Sequence, residues 1–241
     1  MKAIIFSAGL GTRLRPLTNH CPKALVQLNG RPLLWYAIQK MINSGVSQIV
    51  VNVHHFSEQI IEYIHKNQFA VPVLISDESN LLLDTGGGLF NARQLLQGTG
   101  PIIACNVDII SSINLSGVVE EHLNSQALAT LVVRERQTSR YFMFNNAMQL
   151  AGWKNQTTGE NKISRSDFSH SIPLAFSGIH VLSPEIFEYI TERGKFSIVE
   201  LYLRLASDHI IKGFIDHSEF WLDVGKPEQL KIAERYFNTL R

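Results

Sequence analysis

The chain has 241 residues, 45% of them hydrophobic and 18% charged, the balance of an ordinary soluble globular protein, and the length suits one large α/β domain over 1–241. Its 22 basic and 21 acidic side chains leave a formal net charge of +1, which excludes a global field recruiting nucleic acid or an anionic membrane, so any anion site has to be local. Cys21 and Cys105 are too few for a disulfide framework, no apolar run approaches membrane-spanning length, and the first apolar stretch is broken by Gly9 and soon meets Arg13; a cytoplasmic chain without a signal peptide is expected.

In chain order, Lys2 to Ser7 is a nearly continuous apolar run, the pattern of a strand buried on both faces, and it opens into a glycine-rich loop. Leu33, Leu34, Ala37, Ile38, Met41 and Ile42 recur at helical spacing up to a stop at Gly45. QIVVNVHH reads as a strand, SEQIIEYIHK as a helix with Ser57 as N-cap, and VPVLIS as a third strand. DTGGGLFNARQLL starts a helix with three glycines and turns Leu89, Ala92, Leu95 and Leu96 inward. PIIACNVD is a fourth buried strand, the stretch around GVVEEHL a helix, and ALATLVVRE a fifth strand. This alternation predicts a Rossmann-like mixed, mostly parallel sheet with helices on both faces, whose ligands bind beyond the carboxyl ends of the strands. The second half alternates less regularly. YFMFN and MQLAGW predict an antiparallel hairpin, the stretch from Gly152 to Ser171 a polar loop, LAFSGIHVLS a buried strand, Pro184 a helix start, FWLDVG a last strand turn and PEQLKIAERYF an amphipathic closing helix.

The glycine loop carries the first chemical signal. Gly9 and Gly11 let FSAGLGTRLR fold tightly with its N–H groups aimed at one point, and Arg13, Arg15 and Lys23 supply the charge to orient and neutralise a polyphosphate. A Walker A loop is excluded, because Gly11 is followed by Thr12 and Arg13 and the lysine arrives only at position 23. A dinucleotide fingerprint fits Gly9 and Gly11 but needs a small residue where Leu14 stands. Asp108, at the end of the fourth strand, and Asp223 are carboxylates suited to a Mg²⁺ bridging a triphosphate, or else are turn and cap residues. Gly86, Gly87 and Gly88 form either a bare backbone surface for a base or ribose, or a flexible turn. Trp153 and Lys154 suit a stacked sugar and its phosphate, or an exposed hairpin end. His54 and His55 lack ligand spacing for zinc, and Cys105 reads as a small core residue.

GLGTRLRPLT followed by CPKAL resembles the signature of the sugar-1-phosphate nucleotidyltransferases, the pyrophosphorylases that make nucleoside-diphosphate sugars. The resemblance continues in order through LDTGGG, CNVD, FSGIHVLSPEIF, KFS and WLDVGKPEQL, covering essentially the whole chain. It is strongest toward the N-acetylmuramate-1-phosphate uridylyltransferases, with mannose-1-phosphate guanylyltransferases next. It implies the family's Rossmann-like nucleotide-diphospho-sugar transferase fold, with NTP and sugar 1-phosphate as substrates. Residue by residue, it implies triphosphate binding by Ala8, Gly9, Gly11, Thr12, Arg13 and Lys23, and a base bordered by Gly86, Gly87 and Gly88. Mg²⁺ would rest on Asp108 and Asp223, and the sugar phosphate near Asn106, Lys154, Gly178 and Lys195. The resemblance implies catalytic roles for Arg13, Lys23, Asp108 and Asp223.

The chain departs from that pattern in three places. Val107 adds a side chain between Asn106 and Asp108, Leu81, Leu82 and Leu83 replace an acidic-Pro-Leu step, and the Glu-Lys-Pro element near Lys154 is absent. No hexapeptide-repeat extension follows, so no fused acyltransferase is expected. The resemblance favours transfer of a nucleoside monophosphate, from UTP first, to a sugar 1-phosphate. A non-catalytic nucleotide-sugar-binding regulatory subunit of the same fold is the competing reading, against which the retained metal carboxylates argue.

Overall fold

A computed structural model describes residues 1–239. The N-terminal half comprises β1 (Lys2–Phe6), a small ladder of β2 (Gln27–Leu28) and β3 (Arg31–Pro32), α1 (Leu33–Asn43), β4 (Gln48–Val53), α2 (Ser57–Lys66), β5 (Val73–Asp77), α3 (Asp84–Asn91), α4 (Arg93–Leu96), β6 (Ile102–Asn106), β7 (Ile109–Ser111) and α5 (Leu115–Ser125). The remainder adds β8 (Ala129–Arg134), β9 (Arg140–Phe144), β10 (Leu150–Asn155), β11 (Asn161–Ile163), β12 (Ile172–Leu182), α6 (Ile198–Leu205), β13 (Ile211–Ile215), β14 (Trp221–Asp223) and α7 (Pro227–Thr239).

The main sheet runs β11-β10-β9-β12-β6-β1-β4-β5, with β8 beside β12 and β13 beside β8. β6, β1, β4 and β5 are mutually parallel, as the alternating first half requires, while β12 joins β6 and β8 antiparallel and β9 to β11 form antiparallel ribbons. β1 shows why an unbroken apolar run suits a central strand: Ile4 and Phe6 enter the core beneath α3, α4 and α6, and Ala3 and Ile5 enter the opposite core beneath α1, α2 and α5. A third, smaller core joins Leu14, Val26, Leu28, Leu33, Ile110, Val224, Leu230 and Ala233, packing the glycine loop against β7, β14 and α7.

Several expectations need correction. Ser57 is the first helical residue of α2 and caps nothing; Phe56, in the left-handed region at φ 52°, precedes the helix. The stretch expected as a polar loop holds β11 and a short 3₁₀ turn at Ser166–His170, because Trp153 of β10 pairs with Lys162. Pro184 does open a helix, of the 3₁₀ type, over Pro184–Tyr189. β13 is not expected from the sequence, since Lys212 and Gly213 break its apolar pattern; Gly213 allows Met148 and Phe144 to pack where a Cβ would meet them at 2.8 Å. Among the described residues no helix is long and apolar enough to cross a membrane.

Candidate active site

The carboxyl ends of β1, β4 and β6 open into a cleft of about 450 Å³. One wall is the start of the glycine loop, Ser7, Ala8 and Gly9; the floor carries Asn52, Asn106, Val107 and Asp108; Leu82, Asp84, Thr85 and Lys195 face them; Arg13, Lys23 and Asp223 complete the rim.

The loop takes its shape from Gly11, which sits at φ 64° and presents its carbonyl to the Thr18 hydroxyl at 2.8 Å. A Cβ there would crowd Lys23 Cβ and Thr18 Cγ2 at 3.1 Å, at a φ that side chains rarely adopt. Thr12 begins a 3₁₀ turn, Thr12–Leu14, that buries Leu14 completely and leaves the Arg13 side chain largely exposed above the cleft. Gly11 and Thr12 therefore shape the loop without lining the cleft, and the exposed Arg15 lies outside its walls.

Behind the loop runs a buried polar chain. Ser7 donates its N–H to Asn52 Oδ1 at 2.7 Å and its hydroxyl to the Asn52 carbonyl, while Asn52 Nδ2 donates to Glu78 Oε1 at 2.9 Å. Burial raises the Glu78 carboxyl above its ordinary range despite these donors. The chain fixes the first residue of the loop against β4. Sequence reasoning missed Asn52, although a lone amide within QIVVNV, a strand buried from Ile49 to Val53, was a legible signal.

The two aspartates come from separate parts of the fold. β14 pairs antiparallel with β7 so that Asp223 lies opposite Ile109, the residue after Asp108, and Val224 N–H donates to the Asp108 carbonyl at 2.8 Å. Lys23 ion-pairs with Asp108 Oδ2, both side chains nearly buried, and Arg13 Nη2 stands 3.9 Å from Asp223 Oδ2. Burial first, and then the neighbouring Asp108 carboxylate, push the Asp223 carboxyl up to about 6, with Lys23 and Arg13 acting in the opposite direction. Asp223 Oδ1 is buried and accepts no hydrogen bond. Gly225 keeps this corner open, since a Cβ there would meet Asp223 Oδ1 at 2.7 Å and Arg13 Nη2 at 2.8 Å. Two adjacent carboxylates, one with an unspent oxygen, fit a hard divalent cation such as Mg²⁺. Among the described residues no third His, Cys, Asp or Glu completes a cluster, which leaves the other coordination positions to water or substrate oxygen.

Other expected residues fall elsewhere. Gly86, Gly87 and Gly88 are buried in the first turns of α3; Gly86 and Gly87 both give their N–H groups to the Phe196 carbonyl, at 3.0 and 3.2 Å. Gly86 and Gly87 let α3 pack against residues 194–196, and Gly88 packs against the Glu78 and Asn52 side chains; the α3 residues that line the cleft are Asp84 and Thr85. Asp84 holds φ 61° with Oδ1 accepting from Thr85 N–H at 2.6 Å. Gly178, at φ 74°, packs behind Asn106, where a Cβ would meet Asn106 Nδ2 at 3.0 Å and Ile109 Cγ1 at 2.9 Å. Lys154 projects from β10, outside the residues lining the cleft. Cys105 is buried and its thiol is pushed up to about 12 by burial, consistent with a core residue.

Comparison with known proteins adds to this geometry. A nucleotidyl transferase family model matches residues 2–238. The chain is similar to the N-acetylmuramate alpha-1-phosphate uridylyltransferase of Caulobacter vibrioides, 31% identical over 239 residues that cover 96% of this chain and 95% of the relative. It is also similar to the mannose-1-phosphate guanyltransferase of Yarrowia lipolytica, 29% identical over 238 residues, covering 95% of this chain and 61% of that longer relative. Among solved structures, HddC from Yersinia pseudotuberculosis superposes with a TM-score of 0.78 at 22% identity, over 98% of this chain and 99% of that one. A UDP-glucose pyrophosphorylase from Acinetobacter baumanii gives 0.79 at 17% identity, over 99% and 97%.

Proposed function

Because the chain belongs to the nucleotidyl transferase family, as a sugar-1-phosphate nucleotidyltransferase, we propose that it makes a nucleoside-diphosphate sugar and pyrophosphate from UTP and a sugar 1-phosphate in this cleft, with Mg²⁺ held by Asp108 and Asp223. The observation that carries the reading is the meeting of Lys23, Arg13, Asp108 and Asp223 beside the glycine loop. The preference for UTP rests on the uridylyltransferase relative, matched over 95% of its length, whereas the guanyltransferase relative is matched over 61%. Two free cysteines suit a reducing cytoplasm.

The acceptor phosphate is already ionised near neutrality, so its oxygen attacks the α-phosphorus without a general base. A new P–O bond forms there as the bond from the α-phosphorus to the β-phosphate oxygen breaks, and pyrophosphate leaves with the electron pair. The protein's task is alignment of two mutually repelling anions. In this reading the Ala8 and Gly9 backbone and Arg13 orient the triphosphate, Lys23 offsets charge building on the leaving group, and Asn106, Lys195 and the Gly178 bend border the acceptor. Bound Mg²⁺ would supply Lewis-acid neutralisation of phosphate oxygens.

A pyrophosphate-release assay over the four common NTPs and a panel of sugar 1-phosphates tests this directly. Turnover of one pair, with UTP preferred, is the expected result. Absence of pyrophosphate from every pair, with a nucleotide sugar bound and unconsumed, would favour a regulatory binding role.

A further inference from the structure

Arg136 lies just beyond β8 and takes no part in the reaction described so far. Its guanidinium stacks over the Trp221 ring with Cζ 4.5 Å from the centroid, and Nη2 donates to the Phe176 carbonyl at 2.8 Å. The site is next to the cleft on three counts. Trp221 stands two residues before Asp223 on the same strand and therefore on the same face. Trp221 Nε1 donates to the Ser177 carbonyl at 2.9 Å, and Ser177 precedes Gly178, which backs Asn106. The Asp223 carboxylate acts electrostatically on the guanidinium.

The charge of Arg136 has no ion-pair partner among the described residues. Among the described residues no carboxylate comes within ion-pair distance of it, its single hydrogen bond goes to a neutral carbonyl, and Nε is buried with no acceptor. A half-buried guanidinium has five donors in a planar fork and is costly to desolvate without an anion. Burial indeed holds its pKa below the ordinary arginine value. The cations that line the cleft are Arg13 and Lys23 beside the aspartates, and Lys195 facing them. Arg136, like Lys154, stands outside the lining residues, but it packs on Trp221 and the Phe176 carbonyl, next to the segments of β12 and β14 that carry Gly178 and Asp223.

Resting on the proposed reaction, we propose that Arg136 binds an anionic group of the sugar acceptor, either its 1-phosphate or a carboxylate on the sugar, with the stack on Trp221 holding the fork in place. Two oxygens of either group match the fork bidentately.

The test compares wild type with Arg136→Met, which keeps a long apolar stem over Trp221 and removes the charge, and with Arg136→Lys, which restores a point charge. N-acetylmuramic acid 1-phosphate and N-acetylglucosamine 1-phosphate serve as probes, since only the former carries a carboxylate. Acceptor binding by calorimetry is measured alongside steady-state KM for each substrate. Arg136→Met should weaken acceptor binding and raise acceptor KM about tenfold or more, leave NTP KM within about threefold, and keep the wild-type melting temperature, with partial rescue in Arg136→Lys. Loss with both sugars identifies the 1-phosphate as the ligand; loss confined to the muramic acid derivative identifies the carboxylate. Unchanged binding of both sugars by Arg136→Met, or a loss shared equally with NTP, overturns the assignment. A wild-type chain that binds neither acceptor overturns the assignment and the proposed reaction together, whereas a wild type that binds acceptor without turnover sinks the reaction alone.

Discussion

Val224 hands its backbone N–H to the carbonyl oxygen of Asp108 at 2.8 Å, and this bond sets two acids more than a hundred residues apart in sequence side by side. It extends the antiparallel pairing of β14 with β7, so the spacing of the two carboxylates is a property of backbone register and not of side-chain flexibility.

That register makes the two acids separately testable. Asp108→Asn and Asp223→Asn should each lower kcat/KM by about 100-fold or more, roughly 3 kcal/mol of transition-state stabilisation, with unchanged circular dichroism. Pyrophosphate release at saturating NTP is the measurement, and near-wild-type turnover in either variant would remove that residue from the metal site.

Asp223 also predicts a pH-dependent gain. Folding raises its carboxyl from an ordinary 3.8 to about 6, so the protonated form is the one the fold favours. The stability it contributes is full below about 3.8 and is lost as pH rises through about 6. In chelator-treated buffer, Asp223→Asn should therefore melt above wild type near pH 8, and the gap should close near pH 3.5. A wild type that melts higher at both values would contradict the upward shift of the Asp223 carboxyl.

Gly178 backs Asn106 at φ 74°, and an added methyl meets both Asn106 and Ile109 at or below 3.0 Å. Gly178→Ala should cost about 2–4 kcal/mol in urea unfolding, more than a surface glycine such as Gly159, which shares a positive φ but has nothing within 4 Å of where an added methyl would stand. Equal losses at the two sites would show that backbone conformation alone decides the cost.

Lys154 supplies the opposite expectation. It lies outside the cleft, so Lys154→Ala should change kcat and both KM values by less than about twofold. A selective rise in acceptor KM would mean that β10 moves toward the substrate.

The sequence is legible where one periodicity dominates. The short apolar runs at 2–6, 48–53 and 102–106 have the pattern of central strands, and their carboxyl ends place the glycine loop, Asn106 and Asp108 together. It is illegible where a residue's neighbour comes from a distant segment. Gly86 and Gly87 do mark a place of close backbone approach, but what approaches is the 194–196 segment of the same chain, while Gly88 meets the Glu78 and Asn52 side chains. β13 is hidden because Gly213, which makes room for Phe144 and Met148, weakens the pattern that would announce a strand. Arg136 carries no local signal, since its significance comes from Trp221 and Phe176, each at least forty residues away.

The small apolar knot of Leu14, Val224, Leu230 and Ala233 has a consequence for biosynthesis. The glycine loop leaves the ribosome long before the α7 side chains that pack with its Leu14. A chain terminated ahead of α7 would keep the glycine loop but lack Leu230 and Ala233, which pack with Leu14.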